Sequence, residues 1–156
     1  MKYLFLIAFF SMLSFSSTAQ ISFNTGSDEL DADLNLVNTD AKKDLPSFKT
    51  RLSVEYKVSV KKIDYLLSLN MTPAEVYLAL EIAVIAKRSI DEVAKNYQVN
   101  KSRGWGYIAK QMGIKPGSAA FHQLKGSAKN KSAGKSNDAN NKNNGKGNSQ
   151  GKGRGK

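Results

Sequence analysis

Two capping boxes fix the architecture of the middle of this chain. In Thr72-Pro73-Ala74-Glu75 and in Ser89-Ile90-Asp91-Glu92, a hydroxyl residue is followed three positions later by glutamate. The hydroxyl accepts from a backbone N–H in the first helical turn, and the glutamate reaches back to the cap's own N–H. Proline at 73 occupies the first helical position, where its missing N–H costs nothing. Behind the first box, Val76, Leu80, Ala83 and Val84 recur at helical spacing and predict a helix to about Arg88. Behind the second come Val93, Ala94 and Tyr97.

Weaker versions of the same signal punctuate the rest. Ser27 is placed to cap a helix reaching about Lys43, with Leu30, Leu34 and Val37 on one face and Asp28, Glu29 and Asp31 at the positive end of the helix dipole. Asp44 before Pro46 opens a helix carrying Phe48, Leu52 and Tyr56, and Ser59 opens one carrying Val60, Ile63, Leu66 and Leu67. A further helix spans about Gly104 to Met112 and stops at Gly113. Pro116-Gly117 turns the chain, and Ser118 caps a last helix through His122 and Leu124. No stretch alternates apolar and polar residues for long enough to make a sheet. The expected fold is all-α, a small bundle of short helices arranged as helix-turn-helix hairpins.

A shift of 30 residues lays Ser59–Ala83 on Ser89–Gly113. Ser59 meets Ser89, Asn70 meets Asn100, Tyr77 meets Tyr107 and Ala79 meets Ala109. Either a duplicated hairpin or any two capped helix pairs gives such a pattern.

The ends differ from this middle. Lys2, the apolar run Tyr3 to Phe10 and the small residues Ser17-Thr18-Ala19 read as a signal peptide cleaved before Gln20. The run is shorter than the about 20 residues of a membrane-spanning helix. With no cysteine in the chain, a lipoprotein anchor, disulfides and thiolate chemistry are all excluded. The expected organisation is a signal peptide over 1–19, a helical domain over 20–124 and a disordered basic tail over 125–156. The expected destination is the periplasm or the cell exterior.

The tail consists of Lys, Arg, Gly, Asn, Ser, Ala, Gln and one Asp, with too little apolar surface to offset its chain entropy. Its cations are Lys125, Lys129, Lys131, Lys135, Lys142, Lys146, Lys152, Arg154 and Lys156. They contribute much of a net charge of +11, which favours an anionic partner such as nucleic acid, lipopolysaccharide or acidic polysaccharide.

Signals for chemistry are sparse. His122 is the only histidine and stands beside Phe121 near the end of the fold, so a structural role is expected. Glu75 and Glu81 share one helix, but nothing in the sequence converges them for a hydrolase. Asp31, Asp33 and Asn35 imitate the first ligands of a calcium loop, yet Leu36 stands where glycine is needed and Lys42 where glutamate is needed. No cofactor, metal or catalytic residue is expected. Lys101, Arg103, Trp105, Tyr107 and Lys110 form a candidate binding segment, in which flexible glycines at 104 and 106 would let Trp105 stack on a base or a sugar ring. The favoured alternative makes Trp105 and Tyr107 core residues, because large aromatics usually supply buried area. Ile108 to Ile114 is superficially similar to part of a DNA-binding helix-turn-helix, a weak pattern among capped hairpins.

Gly104-Trp105-Gly106-Tyr107-Ile108-Ala109-Lys110, Met112 to Ser118 and Phe121-His122 resemble a segment of small uncharacterised exported bacterial proteins. Those proteins also carry a segment like Met71 to Tyr77 and often end in Lys/Gly/Asn-rich tails. The resemblance spans about Phe23 to Lys125 and implies a bacterial exported domain with no known activity. The expected function is non-enzymatic binding of an anionic polymer through the cationic tail. A protein–protein interaction or structural module of the cell envelope is the alternative.

Overall fold

The computed structural model describes residues 20–134, which form seven α-helices and no strand. The signal-peptide segment 1–19 and the chain from 135 to 156 lie outside the described residues. In order the helices are α1 (Asp28–Lys43), α2 (Leu45–Tyr56), α3 (Val60–Ser68), α4 (Pro73–Ala86), α5 (Ile90–Asn100), α6 (Trp105–Gln111) and α7 (Ala119–Ser132), with a 3-10 turn at Lys101–Arg103 before α6.

The caps act where the sequence places them. Ser27, Asp44, Ser59, Thr72, Ser89 and Ser118 each accept from the backbone N–H three residues on. Both capping boxes close completely, with Glu75 accepting from Thr72 N–H at 2.7 Å and Glu92 from Ser89 N–H at 3.0 Å. Two helix ends use a residue with little steric licence for the turn. Lys57 after α2 and Lys87 after α4 both sit at φ +53° in the left-handed region, 30 residues apart. The two ends match in the register of the 30-residue shift.

α4 is the centre of the molecule. The periodicity predicts one apolar face, but Ala74 and every residue from Val76 to Ala83 are buried, because α1, α3, α5 and α7 all pack against it. Val84, assigned to the inner face by spacing, is instead 57% exposed near the helix end. The remaining core comes from Leu30, Leu34 and Val37 of α1, Leu52 of α2, Ile63 and Leu66 of α3, Val93 of α5 and Ile108 of α6.

The largest departure from expectation is at the C-terminal end. The segment from Lys125 was expected to be disordered, yet α7 continues through it to Ser132. Its composition is poor, with Gly126 and Asn130 inside the helix. Tertiary contact overrides that composition. Phe121, Leu124 and Ala128 form a narrow apolar stripe laid on α1 and α4, and the methyl side chain of Ala128 lets the helices approach closely. Polar contacts complete the docking: Lys125 pairs with Glu29 at 2.7 Å, Lys131 pairs with Glu55, and the Ser132 hydroxyl donates to Asp33 at 2.8 Å. Three cations assigned to the tail, Lys125, Lys129 and Lys131, are therefore helical.

Candidate functional site: a basic outer face and a buried polar cluster

The segment Lys101 to Lys110 starts where the chain leaves α5. Asn100 ends that helix, Lys101–Arg103 make the 3-10 turn, and Gly104 at φ +80° redirects the backbone into α6. The residues before α1 cross this point: Trp105 N–H donates to Phe23 C=O and Gly106 N–H to Asn24 C=O, each at 2.9 Å. Both glycines are required by that crossing. A Cβ at Gly104 would lie 2.4 Å from Asn24 Cβ, and one at Gly106 would lie 2.7 Å from the Thr25 carbonyl oxygen. The expectation that these glycines supply flexibility for base stacking is corrected. They supply room, and they hold the segment still.

Trp105 is core. It is 3% exposed, its ring stacks on Tyr97 with centroids 5.2 Å apart, and its indole N–H donates to Glu75 Oε1 at 3.0 Å. Glu75 thus joins the capping box of α4 to the start of α6. Burial, with the Glu75 carboxylate close by, pushes the Tyr97 phenol up to about 12. Tyr107 is half-buried, and the Arg103 guanidinium lies 3.6 Å from its ring centroid. The stacking surface proposed for a base or sugar is therefore taken, by Tyr97 on Trp105 and by Arg103 on Tyr107. Only the three cations of the candidate segment remain available to a partner. Lys101, Arg103 and Lys110 are all exposed, and none makes an ion pair among the described residues.

The neighbouring sequence extends the same character. From Val93 to Asn137 the sequence contains no Asp or Glu. Lys95 and Lys115 are also exposed and without an ion pair among the described residues. Three carboxylates before this stretch are matched elsewhere, by Lys49 on Asp64, Arg51 on Asp40 and Lys62 on Asp91.

A second constellation lies inside, where α2, α4 and α7 meet. Glu81, 6% exposed, accepts a hydrogen bond from the Tyr56 hydroxyl at 2.6 Å and another from Ser127. Glu55 holds Lys131, whose ammonium lies 5.5 Å from the Tyr77 ring centroid. Tyr56 and Tyr77 pack edge to face at 6.3 Å. Glu55 Oε1 and the Tyr77 hydroxyl are buried without a protein hydrogen-bond partner. Burial is the main cause raising Glu81 above the ordinary glutamate range, and Glu55 adds to it. Burial likewise raises both phenols far above their usual value. Sequence reasoning missed this cluster because its members come from three helices. One signal was legible: Glu81 stands alone among the uncharged residues Val76 to Ala86. Glu75 and Glu81 do not converge. Glu81 meets Tyr56, and Glu75 meets Trp105.

The other candidates resolve simply. His122 is exposed on α7, so the structural role expected of it is not a core one. Asp31, Asp33 and Asn35 are helical and engaged: Asp31 accepts from the Thr25 hydroxyl at 2.6 Å, Asp33 accepts from Ser132, and Asn35 bonds both backbone groups of Ile21 at 2.9 Å. Among the described residues no group of three or more His, Asp or Glu side chains is placed to hold a metal ion, and no single helix is long and apolar enough to cross a membrane. No family model, curated protein or solved structure matches this chain.

Proposed function

We propose that this protein is a non-enzymatic, exported binder of anionic polymers, and that the helical domain contributes to binding together with the basic chain that follows it. The observation that carries the reading is the acid-free stretch after Glu92, which presents Lys95, Lys101, Arg103, Lys110 and Lys115, none of them in an ion pair among the described residues. Arg103 stacked on Tyr107 is a cation held in place before binding, which lowers the ordering cost of using it. Lys135, Lys142, Lys146, Lys152, Arg154 and Lys156 continue the positive charge, against Asp138 alone. With Trp105 buried and Tyr107 covered, recognition works through phosphate, sulfate or carboxylate charge rather than through bases or sugar rings. The resemblance to small exported bacterial proteins supports placement in the periplasm or outside the cell.

The test is fluorescence anisotropy of labelled duplex DNA and of a sulfated polysaccharide across a salt series. Residues 20–156 are compared with 20–134. Expected are binding that weakens steeply with salt in the longer chain, and weaker binding with a smaller salt slope in the shorter one. Absence of binding by either at low salt overturns the reading.

A further inference from the structure

The buried cluster carries an uneven set of charges. Glu55 and Glu81 bring two carboxylates and Lys131 one ammonium, while Tyr56 and Tyr77 are neutral. If both carboxylates are ionised, one negative charge is uncompensated in a site walled by two phenol rings, and burying such a charge is expensive. If Glu81 is protonated, Lys131 and Glu55 balance. The neutral acid then also brings a proton to donate into a cluster where two buried acceptors, Glu55 Oε1 and the Tyr77 hydroxyl, lack partners.

The cluster is also where the end of α7 is fastened. Ser127 and Lys131 are α7 residues bonded to Glu81 and Glu55, and the next residue, Ser132, is bonded to Asp33 of α1. Among the described residues beyond Leu124 the only buried apolar side chain is Ala128, so this last part of the helix depends on the polar contacts. We propose that protonation of Glu81 is a latch on the C-terminal half of α7: with Glu81 neutral, the segment from Ser127 to Ser132 lies docked, and with Glu81 ionised it lifts. Lifting releases Lys131 from Glu55 and adds it to the cations of the chain that follows.

The groups facing Glu81 are known from each side. α2 presents Tyr56 and Glu55, α4 presents Tyr77, α7 presents Ser127 and Lys131, and Asp33 of α1 adds negative charge near Tyr77. The ion-pairing residues of α3 and α5 are engaged elsewhere, Asp64 by Lys49, Lys62 by Asp91 and Glu92 by Arg88. Burial raises Glu81 in the docked state, and lifting α7 removes part of that burial, so the carboxyl returns toward the ordinary glutamate range. A carboxyl whose docked value is the higher one favours docking fully below its undocked value. That contribution is lost as pH rises through the docked value. One proton is linked, so the loss is about tenfold in the docking equilibrium per pH unit across that interval.

Hydrogen exchange read by mass spectrometry on residues 20–156, from pH 5 to 9 and corrected for intrinsic exchange, tests this without any polymer present. It therefore fails or succeeds separately from the binding reading above. Expected is falling protection in peptides covering 125–134 as pH rises, with α4 and α5 unchanged, and constant protection of 125–134 in Glu81→Gln. Tyr56→Phe removes a donor that favours the ionised carboxylate, so its loss of protection extends to higher pH and is larger in total. This variant decides the matter if Glu81→Gln fails to fold. Protection of 125–134 that is independent of pH in the unmodified chain overturns the latch. So does the same pH dependence in Glu81→Gln, or a Tyr56→Phe loss ending at the unmodified chain's pH.

Discussion

Lys110 and Lys131 are alike as residues and opposite in circumstance. Lys110 is exposed near the end of α6 with no ion pair among the described residues. Lys131 has a side chain only 11% exposed, paired with a Glu55 side chain 14% exposed, above the ring of Tyr77. The first is available to an external anion at almost no structural cost. The second is a structural cation whose loss strands a carboxylate. Positive charge in a sequence therefore has two meanings here, and the partner already present in the fold decides between them.

The sharpest way to break that comparison is Lys131→Met. At pH 5, where the end of α7 is docked, it removes the ammonium and leaves Glu55 buried without its cation, so a loss of about 3–5 kcal/mol is expected. Urea unfolding followed by far-UV circular dichroism measures it. Lys110→Met in the same assay should change stability by less than about 0.5 kcal/mol. Equal losses from the two substitutions would abolish the distinction.

Gly104→Ala comes next. Its Cβ meets Asn24 in a backbone conformation at φ +80°, and the expected cost is about 2–4 kcal/mol by the same unfolding measurement. A neutral result would return the glycine to the role of a flexible hinge.

On the outer face, replacing Lys101, Arg103 and Lys110 together by Gln leaves the unfolding midpoint nearly unchanged. It lowers the slope of log binding constant against log salt by about 0.9 for each cation that contacts a phosphate of duplex DNA. An unchanged slope would assign all binding to the chain beyond 134. The smallest effect is a gain: Lys87→Gly relieves a left-handed position at the end of α4 and should stabilise by up to about 1 kcal/mol.

Local signals transferred well into the structure. Ser27, Asp44, Ser59, Thr72, Ser89 and Ser118 all act as helix caps, since a cap bonds a backbone N–H three residues away and needs no distant partner. The candidate binding segment was half legible. Its cations are exposed as expected, and Trp105 belongs to the interior, in line with the favoured alternative, whereas Tyr107 is only half-buried beneath Arg103. What misled was the glycine pair, because a glycine that permits motion and one that permits contact read identically until Asn24 and Thr25 are placed against them.

By itself the sequence determined an all-α chain, the start of each helix and the surplus of positive charge, because each follows from neighbours along the chain or from composition. Only the tertiary structure decided that α4 is wrapped on every side, that α7 runs on to Ser132 through a segment of poor helix formers, and that Glu55, Glu81 and Lys131 share one buried site. Those outcomes depend on contacts between elements, the longest of them joining Glu55 to Lys131 across 76 residues and Asp33 to Ser132 across 99. Their burial free energy outweighs local propensity only once the helices have met.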